Sequence, residues 1–550
     1  MRQGIPGFIK GVLRRQSEIL LPNRDARGYQ AWITERLNKR ELLYTEAPEP
    51  GLLSVLTPVW DGSPVRYIKT LAESIVAQNP RSACEWVILD NGCTNPKLLS
   101  FLSNLSRRNW IRVFRLDSNV GIVRGLRYCL ERATSRYVLP VDADDYLYPD
   151  ALRVIATSLA HEKYPALLYT DEDKVIETRF FQPYLKPDWD PVLALNSAYI
   201  AHLGIVDREK AIELAAYTDP STEGSPDWDV FIRFLIAGHT PVHIPEVLYS
   251  WRAHAHSTAD DAAYKPYVHS SQKAVLRRFL EAQPNPERFT VEYSPLLGGA
   301  AHWYFRRKHI DPRPFTSVIL LNNSMTTDGE SRVQDDYPPE RIVRSSLNAA
   351  PKSLLPIALE MAKSEGFIQL IGGDVEIDSD ASSREWAWEA LALFELHPET
   401  VTIGGRIRNR KGIITEGGLH FGYEGTCGCP NRGRSFLDPG YFTQMWKQRS
   451  VSAVSTQFAI IRASFFVELV EGLSNQASFA FLGAWAGAHA MRTGKRVVYS
   501  PFLSGMSDLE WSSLVLPSEE QLFVEMNRDL IPDRRYYSRH LSLEKPFALA

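Results

Sequence analysis

The sequence predicts an α/β protein built on a mainly parallel, doubly wound sheet. Apolar strand-like runs alternate with amphipathic helical segments over residues 52–141, and this alternation is typical of parallel sheets with helices on both faces. Polar side chains follow the runs at Asp90, Asn119 and Asp142. Because such sheets bind ligands beyond the carboxyl ends of their strands, we expect a binding site there.

Local sequence signals predict each of the first strands and helices. The run LLSVLTPVW (52–60) is a buried strand, and Pro64 begins the helix that follows it. The segments 85–105 and 111–133 repeat the plan of strand, polar turn and helix. A fourth strand, residues 137–141, carries an acidic cluster at its carboxyl end.

The acidic cluster consists of Asp142, Asp144 and Asp145. Carboxylates crowded at one strand end are unfavourable without a neutralising cation, and their hard oxygen ligands suit Mg²⁺ or Mn²⁺. This spacing predicts a metal site that holds a diphosphate. The alternative is an acidic turn whose oxygens cap the following segment.

A nucleotide is expected at this edge, but the sequence lacks G-x-G-x-x-G after the first strand. This disfavours a dinucleotide oxidoreductase. Without a glycine-rich turn, a divalent metal is expected to bind the phosphates. Asp90 either accepts a hydrogen bond from a base or ribose or forms an Asx-turn, and both readings stay open.

Further acids and histidines follow later strands and helices. A strand at 167–175 carries Asp171 and Asp173. Asp227 and Asp229 lie at the entrance of an apolar-periodic helix, where an aspartate is usually a cap. Histidines after a strand can complete a metal shell together with carboxylates. Two histidines meet that description, His254 and His256.

Length and composition limit the function classes. A chain of 550 residues is expected to form two or three domains. Its 62 basic and 65 acidic residues nearly cancel, so nucleic acid is not an expected partner. Five unpatterned cysteines, no apolar run long enough to span a bilayer and no signal-peptide pattern lead us to expect a cytoplasmic protein.

The first residues carry an apolar stripe at helical spacing with basic residues beside it. This pattern is typical of a helix on an anionic membrane surface, and the alternative is a helix docked on its own domain. The pattern gives the hypothesis of a peripheral contact at the inner face of the cytoplasmic membrane. The stripe comprises Ile5, Phe8, Ile9, Val12 and Leu13.

Eight segments between Tyr29 and Arg278 follow the order found in family-two glycosyltransferases of the GT-A fold. They are SVLTPVW, LDNGCT, NVGIVRG, VDADDYLYPDAL, YTDEDKV, YLKPDW, GSPDWD and VLYSWRAHAHSTA. The chain resembles the members that build O-antigen, rhamnan and other bacterial surface polysaccharides. The resemblance implies a nucleotide-diphospho-sugar donor, a glycan or lipid-linked glycan acceptor, and Mn²⁺ or Mg²⁺ as cofactor.

The resemblance also implies roles for the metal candidates. Asp142 and Asp144 would form the D-x-D pair that binds ribose and metal, with Asp145 as their neighbour. His254 would lie near the metal and the diphosphate.

The other implied roles concern the base and the nucleotide sugar. Asp227 would be the general base, with Trp228 and Asp229 beside it, and Asp90 would contact the nucleotide base. An inverting displacement follows, in which Asp227 takes the proton of the acceptor hydroxyl. The remaining candidates for contact with the nucleotide sugar are Pro58, Asn119, Gly121, Arg124, Ala143 and Lys186. Two departures from the family pattern are Pro226 before the base and Cys93 in the turn after the second strand.

The second half resembles a second, degenerate GT-A-like domain. The position of the acid pair carries Gly372, Gly373 and Asp374, and the helix expected to hold a base has no acid at 481–485. One carboxylate is a poor metal site, so this domain is predicted to be catalytically silent and either to support the first domain or to bind the acceptor glycan. The predicted divisions are an N-terminal helical extension (1–50), a catalytic GT-A domain (51–280), a linker (281–314), the degenerate domain (315–515) and a tail (516–550).

Two other functions compete with a single-site transferase. A bifunctional polymerase would use both domains, and a non-catalytic scaffold would bind nucleotide sugar without turnover. A hydrolase is disfavoured because no G-x-S-x-G nucleophile motif occurs. The sequence leaves the sugar, the nucleotide, the acceptor linkage and the oligomeric state open.

Overall fold

The structure is a computed structural model of the chain and describes residues 26–45, 48–78, 84–253, 267–296, 302–322, 337–378 and 385–550. The N-terminal stripe and His254 lie outside these residues. Among the described residues, no helix is both long and apolar enough to cross a membrane.

The first half forms a nine-stranded sheet in the order β3-β2-β1-β4-β8-β6-β9-β5, with β7 paired to β6. The strands are β1 (Leu53–Val59), β2 (Cys84–Asn91), β3 (Ile111–Leu116), β4 (Tyr137–Pro140), β5 (Tyr146–Leu147), β6 (Leu167–Ile176), β7 (Arg179–Tyr184), β8 (Gly204–Asp207) and β9 (Val242–Arg252). Strands β1 to β4 are mutually parallel, as are β6 and β9, whereas β8 runs antiparallel between β4 and β6. The predicted α/β architecture is confirmed.

Helices cover both faces of this sheet. They are α1 (Ala26–Leu43), α2 (Val65–Ala77), α3 (Pro96–Leu105), α4 (Gly121–Arg132), α5 (Ala151–His161), α6 (Pro191–Asn196), α7 (Arg208–Glu213), α8 (Pro226–Ile236) and α9 (Tyr267–Glu281). One apolar cluster packs Leu71 and Leu102 against β1 and β2, and a second packs Leu126 and Phe234 on the other side. The carboxyl ends of β1, β2 and β4 therefore open at one edge, as the sequence predicts.

The second half forms another nine-stranded sheet, in the order β13-β12-β14-β21-β16-β22-β15, with β17 and β20 paired to β16 and β22. Its strands are β12 (Phe315–Leu321), β13 (Arg341–Ser346), β14 (Phe367–Gly372), β15 (Glu376–Ile377), β16 (Thr400–Arg408), β17 (Ile414–Glu416), β20 (Arg449–Val451), β21 (Phe458–Arg462) and β22 (Arg496–Met506). Its helices are α10 (Leu355–Lys363), α11 (Trp386–Leu396), α12 (Ala463–Gly472), α13 (Leu482–Arg492) and α14 (Pro517–Met526).

The order of the second sheet repeats that of the first without its edge strand. Strands β13, β12, β14, β21, β16, β22 and β15 occupy the places of β2, β1, β4, β8, β6, β9 and β5. Strand β21 is antiparallel to both neighbours, as β8 is in the first sheet. A short hairpin, β18 (His420–Phe421) with β19 (Cys427–Gly428), lies outside this order.

The segment predicted as a linker contains regular structure. Strands β10 (Phe289–Tyr293) and β11 (Trp303–Arg307) form an antiparallel hairpin. Its apolar side chains pack with Trp228 of the first half and Leu396 of the second. Buried and partly exposed side chains alternate in both strands. The proline and basic residues of this stretch favoured a linker, so these strands were not predicted from the sequence.

Polar contacts also join the two halves. Asp190, which caps α6, accepts hydrogen bonds from the backbone and the hydroxyl of Ser450, both at 2.7 Å. The side-chain amide of Asn196 donates a hydrogen bond to the side-chain oxygen of Gln448 at 3.0 Å and accepts one from the backbone N–H of Gln448 at 3.1 Å. All four side chains are buried, and an unpaired polar group there would cost about 1–3 kcal/mol. The contacts therefore fix the position of one half on the other.

Helix α1 is anchored by Arg40, which is fully buried. Its guanidinium donates to both carboxylate oxygens of Asp150 at 2.8 and 2.9 Å and to the carbonyl of Val247 at 2.7 Å. Arg40→Met is expected to destabilise the protein by about 3–5 kcal/mol, since it leaves a buried carboxylate without its main partner. Urea unfolding followed by tryptophan fluorescence measures this loss.

The matched control is Lys39→Met on the same helix, where the side chain is 58% exposed and pairs with Glu35. This exposed change should stay within about 0.5 kcal/mol of the wild type. Equal losses for the two variants would contradict the anchoring role of Arg40.

Candidate active site

The acidic loop after β4 is held by strand β9. Asp142 is exposed, Asp144 is half-buried and Asp145 is buried. Asp145 accepts hydrogen bonds from the hydroxyl of Tyr249 and from the backbone of Arg252, the latter at 2.8 Å. The guanidinium of Arg252 donates to the carbonyl oxygen of Asp144 at 2.6 Å. The loop therefore keeps Asp145 inside and places Asp142 at the surface.

The three carboxylates affect one another. Burial, followed by the charges of Asp144 and Asp142, raises the pKa of Asp145 well above its ordinary value. Such mutual repulsion favours a bound cation. No group of three or more metal-binding side chains occurs among the described residues. Asp142 and Asp144 nevertheless fit Mg²⁺ or Mn²⁺, because such ions take one or two carboxylates and complete their shell with substrate phosphates and water.

Asp227 lies in the first turn of α8 and lines a small cavity. Its carboxylate is 27% exposed and lies 3.6 Å from Nε2 of His202. Burial raises the pKa of Asp227, and the neighbouring His202 opposes this shift. A carboxylate that is partly desolvated and still reachable is a suitable proton acceptor. The rest of the cavity wall is mostly apolar, from Pro140, Ala201, Gly204, Val206, Tyr217, Val230 and Phe231.

The base candidate and the acidic loop share this part of the molecule. Burial is the largest cause of the raised pKa of the Tyr217 phenol, and the charges of Asp227, Asp229 and Asp142 raise it further. Asp227 and Asp142 therefore both lie within electrostatic reach of Tyr217. The ring of His202 also stacks on Tyr249 with centroids 5.1 Å apart. Tyr249 in turn binds Asp145, which links the loop to the base.

In the turn after β2, the side chain of Asp90 binds the backbone, as the turn-forming alternative predicted. Asp90 is buried, accepts a hydrogen bond from the backbone of Cys93 at 2.8 Å and pairs with Arg115. The departure at Cys93 leaves this turn intact, because the contact uses the backbone. A role of Asp90 toward a nucleotide base stays a prediction.

The segment between β3 and α4 forms a tight turn. Asn119 accepts a hydrogen bond from the backbone of Gly121 at 2.8 Å, and Gly121 has a φ of 85°, which favours glycine. Glu223 accepts from the first backbone N–H groups of α4. Arg124 is exposed one turn into this helix.

Two further donor-binding candidates are buried, Pro58 near the end of β1 and Ala143 between Asp142 and Asp144 in the acidic loop. The predicted contacts of Asn119, Gly121, Arg124, Pro58 and Ala143 with a nucleotide sugar remain predictions.

Lys186 lies inside the protein. It is fully buried, and its ammonium donates to the carbonyl oxygens of His202 and Ile200 at 2.6 and 3.4 Å and to Glu172 at 3.4 Å. These internal contacts fit a lysine flanked by prolines and aromatic residues, and a contact of Lys186 with the nucleotide sugar stays a prediction.

The acids of β6 also have internal roles. Asp171 accepts from the backbone of Lys186 and pairs with His243 at 2.9 Å. Asp173 accepts from the hydroxyls of Tyr29 and Tyr148 at 2.7 and 2.6 Å, and burial raises its pKa to about 7. Neither carboxylate opens into the cavity.

Two candidates beside the base are structural. Trp228 is buried and donates to the carbonyl oxygen of Ala194 at 2.9 Å. Asp229 is fully buried and accepts from Arg233 and Arg278 at 2.6 and 2.7 Å, which joins α8 to α9.

Three site residues escaped the sequence prediction. His202 and Tyr217 lie between recognisable segments, without neighbours of their own chemical type, so no spacing pattern points to them. Arg252 could have been predicted, because it is a basic residue at the end of a strand and the acidic loop needs a basic partner.

The same edge of the second sheet is filled by side chains. Asp374 lies two residues before β15, as Asp144 lies two residues before β5, and Ser507 donates to it. Trp511 is buried, donates to Thr456 at 3.1 Å, and would lie 3.1 Å from a Cβ at Gly372. The first turn of α13 has no acid.

Residues 54–189 match the sequence model described as Glycosyl transferase family 2. This match defines the class of domain: residues 54–189 form a glycosyltransferase family 2 domain. Together with the order of the first sheet, the match confirms the predicted GT-A domain.

Two curated relatives extend over both halves of the chain. The uncharacterized protein y4gI of Sinorhizobium fredii (strain NBRC 101917 / NGR234) is 27% identical over 457 residues, which cover 77% of this chain and 49% of that protein. The O-antigen biosynthesis protein RfbC of Myxococcus xanthus is 25% identical over 433 residues, 73% of this chain and 33% of that protein. The chain thus spans about half and about a third of these relatives.

Solved structures match the chain over shorter stretches. The S. aureus TarS fragment 1–349 in complex with UDP-GlcNAc is 18% identical with a TM-score of 0.34, over 42% of this chain and 72% of that one. GalNAc-T7 with UDP, GalNAc and Mn²⁺ is 14% identical with a TM-score of 0.35, over 43% of this chain and 50% of that one.

The two acids of α8 are expected to differ in their effect on stability. Asp229→Asn removes the counter-charge of Arg233 and leaves Arg278 with Asp219 alone, so it should cost about 3–5 kcal/mol. Asp227→Asn removes a partly exposed carboxylate whose burial is unfavourable, so it should change stability by less than about 1 kcal/mol. Urea unfolding of the two variants measures the difference, and equal losses would contradict the structural role of Asp229.

Proposed function

We propose that the chain is an inverting, metal-dependent glycosyltransferase that moves a sugar from a nucleotide-diphosphate donor to a hydroxyl of a glycan acceptor. The observation that carries this proposal is the position of Asp227. Its carboxylate opens into a cavity beside the acidic loop, where a base and a diphosphate-binding site would have to meet.

The chemistry assigned to this chain is general base catalysis. The acceptor oxygen attacks the anomeric carbon while the nucleoside diphosphate leaves from the opposite face, which inverts the anomeric centre. Asp227 takes the acceptor proton in this step. Burial of Asp227 supports this role, because a raised pKa makes its carboxylate a stronger base.

The proposed cofactor is Mn²⁺ or Mg²⁺, held by Asp142 and Asp144. When bound, the ion neutralises charge on the diphosphate. The role of the chain is to hold these two carboxylates in a position where they can bind the ion. Arg252 and Tyr249 hold the loop so that Asp145 stays inside while its neighbours face outward.

The proposed acceptor is a bacterial surface glycan or its lipid-linked precursor. Support comes from the Myxococcus xanthus relative, whose name assigns it to O-antigen biosynthesis. The proposed place of action is the cytoplasm, with a peripheral contact at the inner face of the cytoplasmic membrane.

The second domain is proposed to be silent and to support the first. Trp511 occupies the edge where a donor would bind, and the acid pair is reduced to Asp374. The contacts of Ser450 and Gln448 with α6 support a bracing role.

The transfer reaction is tested with a panel of uridine, deoxythymidine and guanosine diphosphate sugars, each with Mn²⁺ and with EDTA. A bound donor should raise the melting temperature by mass action, and turnover should release nucleoside diphosphate when a glycan acceptor is present. Asp227→Asn should lower kcat roughly a hundredfold to ten-thousandfold and keep the donor-induced thermal shift. Near-full activity of this variant would reject Asp227 as the base.

Separate variants test whether one or two sites act. Asp144→Ala should abolish metal-dependent release, whereas Asp374→Ala, its counterpart in the second sheet, should retain it. A bifunctional polymerase would lose one of two transfers in Asp374→Ala, which analysis of the product linkages would reveal. A binding scaffold would give thermal shifts without any release in the wild type.

A further inference from the structure

The imidazole of His202 lies between two carboxylates. Its Nε2 is 3.6 Å from Oδ2 of Asp227, and its Nδ1 is 3.9 Å from Oε2 of Glu172. Both distances exceed a direct hydrogen bond, but they place one ring nitrogen toward each acid. The side chain is 22% exposed and lines the same cavity as Asp227.

The position of His202 is fixed from three sides. Its backbone N–H donates to Glu172, and its carbonyl accepts from the ammonium of Lys186 at 2.6 Å. Its ring stacks on Tyr249 at an interplanar angle of 12° and lies 5.7 Å from the ring of Trp251. The ring therefore stays beside the base.

The charges around the ring define what it can do. A carboxylate facing one nitrogen favours the N–H there and leaves the other nitrogen as an acceptor. Each ring nitrogen here faces a carboxylate, Glu172 at Nδ1 and Asp227 at Nε2. In the neutral tautomer that carries its N–H at Nδ1, Nε2 is an acceptor that faces Asp227. If Nε2 takes a proton, both N–H groups of the imidazolium point toward carboxylates.

We propose, on the basis of the proposed function, that His202 is a positioning residue that receives the acceptor proton from Asp227. During transfer the acceptor O–H bond breaks, the new glycosidic C–O bond forms, and the proton binds the Asp227 carboxylate. That proton then moves to Nε2 of neutral His202. The resulting imidazolium releases it to water, which returns Asp227 to its anionic form for the next turnover.

The titratable or charged groups facing His202 come from four elements. They are Asp227 on α8, Glu172 on β6, Lys186 after β7 and Tyr249 on β9. Lys186 bonds to the backbone of His202 rather than to its ring. The ring nitrogens therefore interact chiefly with the two carboxylates.

A double-mutant cycle tests the pairing without any substrate. The variants are His202→Asn, Asp227→Asn and the two combined, with melting temperatures measured at pH 5 and pH 8. If the two side chains interact, the sum of the single shifts should differ from the shift of the double variant by about 2 °C or more at one of these pH values at least. His202→Gln repeats the cycle if His202→Asn does not fold.

The kinetic test uses the donor that the wild type turns over in the panel. His202→Asn should lower kcat with little change in KM. It should also move the acidic limb of the kcat profile to higher pH, because the effect of His202, which lowers the pKa of Asp227, is lost. An anionic base is lost as pH falls through its pKa, so a raised pKa shifts this loss upward.

His243→Asn is the matched control. His243 is also buried between two carboxylates, Asp171 and Asp188, both at 2.9 Å, but does not line the cavity. It should lower stability without coupling to Asp227 and without moving the acidic limb. If the melting-temperature shifts are additive at both pH values and the acidic limb of the kcat profile does not move in His202→Asn, the proton transfer to His202 is rejected. The proposed transferase function is not affected by that result. Absence of turnover with every donor would instead remove the proposed function, and the proton transfer to His202 with it.

Discussion

Three consecutive buried acids in strand β6 constrain the first domain more than any other feature. Asp171, Glu172 and Asp173 are all buried, and a buried charge without a partner costs several kcal/mol. Each acid recruits a different part of the chain: strand β9 through His243, the segment after β7 through Lys186, and helix α1 through a tyrosine. The geometry around Asp227 depends on this arrangement, because Glu172 and Lys186 together hold the backbone of His202.

The two halves of the chain share the strand order of their sheets but differ in the residues at the strand ends. Their sheets have the same strand order, including the single antiparallel strand inside a parallel run. In the first half the strand ends open toward a cavity, whereas in the second half Trp511 closes the corresponding edge. With Gly372, Gly373 and Asp374 where the first half carries an acid pair, the second edge lacks the mutual repulsion of carboxylates that favours a bound cation.

Much of the fold could be predicted because its signals are local. Strand and helix alternate with clear periodicity through residue 141, and the acidic loop follows directly from VDADDYLYPD. The roles of Lys186 and Asp229 could not be predicted, because each depends on partners that the fold brings from elsewhere in the chain. His202 escaped notice for the same reason. The hairpin at 289–307 was missed because its composition resembled a linker.

The C-terminal segment has a consequence for biosynthesis. Tyr537, Leu541 and Phe547 belong to the same apolar cluster as Tyr29 and Ile33 near the start of the first domain. A ribosome adding about 5–20 residues per second needs roughly 15–60 seconds to extend the chain from the end of β9 to this segment. Part of the core of the first domain therefore stays open to water until residues 537–547 have been made. Nascent chains that stall in this interval would present that surface to chaperones or to one another.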